Sequence, residues 1–372
     1  MVMEFIHLET STHQPFIKDS RFIDLPPVPT TYNLLFTPSY SESSYSSTPT
    51  LLATPELSPS LSPLSAPVPD PANPALVIHL TLTSPLYDVP RALSSAPNPT
   101  SVVDVLKIQK TPLQPATKLS RKLGATVLIK REDAHPEVFS TEARGVGNWL
   151  LNVMKTEKGN VEAVCSVSEG THADALSLLS TRVSVPYHPT TAHLMDPLDP
   201  HILGGYGTVA MELMTQHPIN RIAAVFCPVG TTPESWGLAV AVAIYVKRIA
   251  SHVQVIAVCL QDRNEAAKVW GREFVDEVID VTEAEVTLAI KDTYEDTRIL
   301  PDTFGTLSIA GVTKYVRGRP TTQYVDVDAK PEPDSLIAIL ASANMTFEAL
   351  ARWTTDVKRI KAEPEVMVDA SR

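Results

Sequence analysis

The feature that most constrains this chain is a series of short apolar runs, each the length of a buried strand, alternating with amphipathic stretches. The runs are Ala125–Ile129, Val161–Val167, Arg221–Val229, Val253–Val258 and Leu336–Leu340. Between and after them, Arg144–Lys155, Ala173–Leu179, Thr208–Gln216, Gly237–Ile249, Glu283–Tyr294, Thr306–Tyr315 and Phe347–Val357 carry the helical period. Such alternation predicts an α/β fold, a mostly parallel sheet covered by helices on both faces. Ligands of such sheets bind beyond the carboxyl ends of the strands.

Turn residues divide the chain. The 32 prolines crowd its N-terminal part, whereas the 14 glycines begin only at Gly124. Residues 36–75 repeat Ser-Pro and Thr-Pro with little apolar periodicity, and cannot bury enough surface to offset the entropy of ordering. We therefore expect a disordered Pro/Ser-rich leader over residues 1–80, a folded unit over 81–357 and a tail over 358–372.

Charge and composition exclude several partners. A net charge of -11 without a basic block argues against nucleic acid or an anionic membrane surface. No run approaches the roughly 18 apolar residues that span a bilayer; Leu238–Ile249 is too short and contains Lys247 and Arg248. Glu4 and Glu9 replace the basic region of a secretory signal, and Arg21 lies beside Asp19 and Asp24 where a presequence would be arginine-rich. A cytoplasmic location is expected. Cys165, Cys227 and Cys259 each sit in an apolar run and read as buried thiols. The histidines show no metal-ligand spacing, so no metal is expected.

Phe139–Gly145, Ser168–Ala173, Gly230–Gly237 and Ala341–Asn344 are turns where a strand ends or a helix begins. Backbone N–H groups at such places can face an anion. Each alone is an ordinary strand–helix turn.

In order, these blocks resemble threonine dehydratases, members of the serine/threonine dehydratase family of fold-type II pyridoxal-phosphate enzymes. Thr111–Asp133 (TPLQPATKLSRKLGATVLIKRED) is similar to the family's opening, and Leu82–Val89 to its lead-in. Gly205–Pro218, Val225–Gly230, Val281–Arg298 and Ser342–Leu350 keep the family's order, so the likeness runs from about residue 81 to 357. It implies a fold-type II parallel sheet with flanking helices, and deamination of L-threonine or L-serine to a 2-oxo acid and ammonia. It also implies a small-molecule amino-acid substrate and an oligomer, either of this chain or with an intact dehydratase.

The family's chemistry rests on a lysine that holds the cofactor as an imine. In its Ser-Phe-Lys-x-Arg-Gly motif this chain reads Ser140, Thr141, Glu142, Ala143, Arg144, Gly145, so Glu142 stands at the lysine position. A carboxylate cannot form an imine. The Ser-x-Gly-Asn-His motif appears as Ser168, Gly170, Thr171 and His172, with Thr171 replacing the asparagine that meets the cofactor's phenolic oxygen. The tetraglycine phosphate cradle is reduced to Gly230 and Gly237, separated by Thr231, Thr232, Pro233, Glu234, Ser235 and Trp236. The serine that meets the pyridine nitrogen matches Ala341; a one-residue slip substitutes Ser342, with Asn344 retained. Residues 179–196 and 258–276 are shorter than their family counterparts, which implies a reduced small domain, a remnant over about 125–200. Past Val357 we expect no counterpart of the regulatory domain that many biosynthetic members carry. We expect a degenerate, non-catalytic pseudoenzyme whose cofactor positions are vestigial. The alternatives are an active pyridoxal-phosphate ammonia-lyase, or the same fold with new chemistry at Glu142 in a specialised pathway.

Overall fold

Side chains alternate along a strand, so a strand buried on both faces sends its residues into two cores. The computed structural model describes residues 74–84, 106–166, 170–188, 193–196, 198–230, 232–261, 271–319 and 334–362. Its main sheet contains β1 (Leu113–Pro115), β2 (Thr126–Arg131), β5 (Ile222–Pro228), β6 (Gln254–Leu260), β7 (Glu277–Val281) and β8 (Ser335–Leu340). The spatial order is β1-β2-β8-β5-β6-β7, with β1 antiparallel to β2 and every other pair parallel. Ile337 stands level with Leu128 on one side and Val225 on the other.

The two faces build separate cores. Leu128, Val225, Cys227, Val255, Ile337 and Ile339 point one way, against α3 (Glu142–Thr156), α5 (Pro200–Gln216) and α6 (Gly237–Ile249). Val127, Ile129, Phe226, Ile256, Val258 and Ala338 point the other way, against α7 (Glu283–Thr297) and α8 (Thr303–Arg317). Short α2 (Thr117–Leu123) joins the second core through Leu119. On the outer side, α9 (Phe347–Ala362) packs against α7, where the Trp353 indole N–H donates to the Thr287 carbonyl at 3.1 Å. Residues 164–166 (β3) and 193–195 (β4) form a separate parallel pair beneath α4 (Thr171–Arg182). This pair and α4 lie within residues 125–200, whereas β2, inside the same range, belongs to the main sheet.

Three elements depart from expectation. Helix α1 (Pro74–Leu82) crosses the boundary expected at residue 80. Its Val77 and Thr81 are buried against α5, where a Cβ on Gly204 or Gly207 would collide with Leu80 or Thr81. Small residues on α5 thus admit a helix that a proline-rich neighbourhood concealed. Strand β7 was missed because Glu277 and Asp280 interrupt its apolar pattern. Helix α9 extends beyond Val357. The rest of the expected leader and most of the tail lie outside the described residues.

Behind the first core lies a set of charges. Arg144, 2 % exposed, donates from Nε to Glu132 Oε2 at 2.6 Å, from Nη1 to Glu212 Oε1 at 2.7 Å and from Nη2 to Glu212 Oε2 at 2.9 Å. Lys130 Nζ reaches Glu212 Oε2 at 2.5 Å and the Thr111 carbonyl at 2.9 Å. Two cations thus face two carboxylates. Burial opposes the charge on Glu132, yet Arg144 beside it, the bond from His135 and nearby Lys130 hold its carboxyl well below the usual range. The cluster ties β2, α3 and α5 at the root of the site. Arg144→Met would leave Glu132 and Glu212 with Lys130 as their main cation. We expect it to lower unfolding free energy by about 3–5 kcal/mol, read as a fall in the urea midpoint at neutral pH. An unchanged midpoint would show that the cluster does not hold the helices together.

Candidate functional site

The carboxyl ends of β5 and β8 face a cavity of about 740 Å³. Its floor is two loops zipped together. The Thr141 N–H donates to the Ala341 carbonyl at 2.8 Å, and the Ala343 N–H to the Phe139 carbonyl at 2.9 Å. Asp302 fastens the floor from below. It caps α8 by accepting from the Gly305 N–H at 2.7 Å, and it also accepts from the Ser342 hydroxyl and the Asn344 N–H, both at 2.9 Å.

Glu142 opens α3 on one wall, where a carboxylate suits the helix N-terminus. Its partners come from two other helices. Gly170, at φ 84°, turns the chain into α4 and delivers His172, whose Nδ1 lies 2.8 Å from Glu142 Oε2. From α5, the Tyr206 hydroxyl donates to the same oxygen. Burial pushes the Glu142 carboxyl up, but the charge of His172 and the bonds from His172 and Tyr206 outweigh it, so its pKa lies below the ordinary carboxylate value. Tyr206 moves the other way: burial and the adjacent carboxylate hold its pKa well above that of a free phenol. Glu142 is therefore an ionised, oriented acceptor.

The opposite wall is the loop between β5 and α6. Here the Gly230 N–H donates to Ser235 Oγ at 2.9 Å, and the Ser235 hydroxyl donates to the Thr232 carbonyl at 2.5 Å. Of the residues expected at the site, Glu142, Gly170, Thr171, His172, Gly230, Ser342 and Asn344 line the cavity together. Gly237 does not line it: it begins α6 against Leu203 and Tyr206, because the intervening residues form a short 3-10 turn over Pro233–Trp236. Ser168 lies outside the described residues. The Ser342 hydroxyl donates its hydrogen bond to Asp302, and Ala341 stands beside it in the wall. Tyr206 and Asp302 were not anticipated. Tyr206 sits in a resembling block without a chemical signature, whereas the Asp302-Thr-Phe-Gly305 spacing of a helix cap was a usable sign.

Lys130 is committed to the buried charge cluster and Lys155 to the last turn of α3. Among the described residues, no lysine or arginine lines the cavity. The fit to pyridoxal phosphate can be tested on these contacts. The imine position carries an ion-paired carboxylate, and the space above Gly230 is filled, since a Cβ there would meet Ser235 Cβ and Oγ at 2.9 Å. The residues present do not fit that group. Nor do any three His, Cys, Asp or Glu side chains among the described residues cluster as metal ligands. No helix among them is long and apolar enough to cross a membrane.

No protein-family model matches the chain. It is 28% identical over 323 residues to the mitochondrial threonine dehydratase of Saccharomyces cerevisiae, covering 67% of this chain and 54% of that protein. It is also 28% identical over 345 residues to the threonine dehydratase-like protein AKTS1-1 of Alternaria alternata, covering 73% and 76% respectively. The chain thus spans about half the length of the yeast enzyme. The processed form of threonine deaminase isoform 2 from Solanum lycopersicum shares the fold, with a TM-score of 0.59 at 23% identity, over 78% of this chain and 90% of that one. A fungal L-serine ammonia-lyase from Rhizomucor miehei superposes with a TM-score of 0.52 at 18% identity, over 66% and 98%. Through the folded unit the chain is thus similar in sequence to threonine dehydratases and to a threonine dehydratase-like protein, and it shares the fold of these fold-type II structures.

Proposed function

We propose that this chain is a threonine dehydratase-like pseudoenzyme, one that keeps the family's cleft but not its imine chemistry. The observation that carries the reading is the pairing of Glu142, at the family's lysine position, with His172 and Tyr206. A lysine amine there would act as a nucleophile toward an aldehyde; an ionised carboxylate has no lone pair able to make that carbon–nitrogen bond. The cleft retains the hydroxyls of Thr171 and Ser342 and the amide of Asn344, which suit a small polar ligand such as an amino acid. In this reading the remaining motif positions, Ser168, Gly170, Thr171, His172, Gly230, Gly237, Ser342 and Asn344, are vestiges of a cofactor site. The same proposal includes a cytoplasmic location and assembly with another copy or with an intact dehydratase.

The decisive measurement adds pyridoxal phosphate to the purified protein, followed by borohydride and peptide mass mapping. We expect no imine absorbance band and no reduced adduct on a lysine. A fixed adduct on any lysine would overturn the reading. We further expect Glu142→Lys alone to form no measurable 2-oxobutanoate from L-threonine, because Thr171 and the 231–235 loop stay as they are. Product from that single variant would show that Glu142 was the sole obstacle.

The ion pair also makes a prediction about acid. Because the folded-state pKa of Glu142 lies below its ordinary value of 4.5, its stabilisation is present above that value and drains away as pH falls through the folded value. Glu142→Gln should therefore be less stable than wild type near neutral pH, with the difference shrinking on acidification below 4.5. A gap in unfolding midpoint that stays constant with pH would rule out this account of the Glu142–His172 contact.

A further inference from the structure

The loop from Gly230 to Gly237 joins the end of β5 to the start of α6, the place where an α/β sheet offers backbone N–H groups to an anion. A loop that waits for an anion leaves those donors pointing into open space. Here that space is filled. Gly230 N–H donates to Ser235 Oγ at 2.9 Å, so the side chain of Ser235 already supplies the oxygen. The hydroxyl is locked in that role because its own proton goes to the Thr232 carbonyl at 2.5 Å. The Ser235 N–H donates to the same carbonyl at 3.1 Å, which removes a second donor from service. Pro233, between them, has no N–H at all.

Shape agrees with the hydrogen bonds. The side of Gly230 where a Cβ would stand is covered by Ser235 Cβ and Oγ, both 2.9 Å away, so no phosphate oxygen has room there while Ser235 keeps this position. Charge agrees as well. Among the described residues the cavity is lined by the carboxylates of Glu142 and Asp302, with His172 the one basic side chain. Arg144, two residues from Glu142, is turned away into the buried cluster. A phosphate dianion would meet a wall whose Gly230 and Ser235 N–H groups are already engaged and whose described carboxylates repel it.

We infer that Ser235 closes this loop as an internal substitute for a phosphate oxygen, so that the cavity admits only small molecules without a phosphate group. The inference builds on the reading of an imine-free cleft, but its test involves no imine, so the two can fail separately. Inorganic phosphate is titrated by calorimetry into full-length wild type, Ser235→Gly and Ser235→Ala, with the unfolding midpoint of each confirming that it is folded. Wild type should show no saturable binding. Ser235→Gly, which uncovers Gly230 and returns its N–H, should bind phosphate at least about tenfold more tightly, the scale of one hydrogen bond to a charged acceptor. Ser235→Ala returns the N–H but keeps the Cβ, and should gain less in the same direction. Saturable binding of phosphate by wild type would overturn the inference. So would folded Ser235→Gly or Ser235→Ala proteins that bind it no better than wild type.

Discussion

The whole arrangement hangs on Arg144. Its guanidinium is too well hydrated in water to be buried without exchange, and the exchange is nearly complete: two carboxylates and the hydroxyls of Thr111 and Thr208 take up its donors. The partners arrive from a loop before β1, from the end of β2 and from the middle of α5. One side chain therefore fixes the relative placement of several elements whose sequence positions are far apart. Its residue in the dehydratase motif persists here although the neighbouring lysine position has become Glu142. The two positions answer to different physics, one to the cost of an unpaired buried charge and the other to the chemistry of the cleft.

Within the cleft, substitution has been followed by mutual satisfaction rather than by disorder. Glu142 has acquired Tyr206 and His172, Gly230 has acquired Ser235, and Ser342 has acquired Asp302. A site stripped of its ligand-binding residues would be expected to leave buried polar groups in want of partners. The walls instead carry internal polar contacts at Glu142, Ser235 and Ser342. The cleft is a settled surface of its own.

The fold was legible because burial leaves a period. Strands β2, β5, β6 and β8 were found nearly in full from apolar runs, and α6 from its first residue to its last. Strand β7 escaped because an edge strand tolerates Glu277 and Asp280, and α1 because a helix with an apolar composition among prolines shows no clear stripe. The site was legible only where the dehydratase pattern named a position. Glu142 could be singled out, but not the partner of its carboxylate, since Tyr206 lies 64 residues onward and meets it only through helix packing. The union of Arg144 with Glu212, 68 residues away, was hidden for the same reason.

Helix α1 has a consequence for how the molecule can be divided. A cut at the boundary drawn from the sequence, after residue 80, would sever the helix before Thr81 and remove Val77 and Leu80 from the face of α5 they cover. That face was shaped for close approach, with Gly204 and Gly207 in place of side chains, so it cannot fill the gap with anything of its own. What looks like the end of a tether is the strip that seals the seam. A shortened protein would present α5 as an open apolar furrow, inviting self-association from a surface that the intact chain never shows.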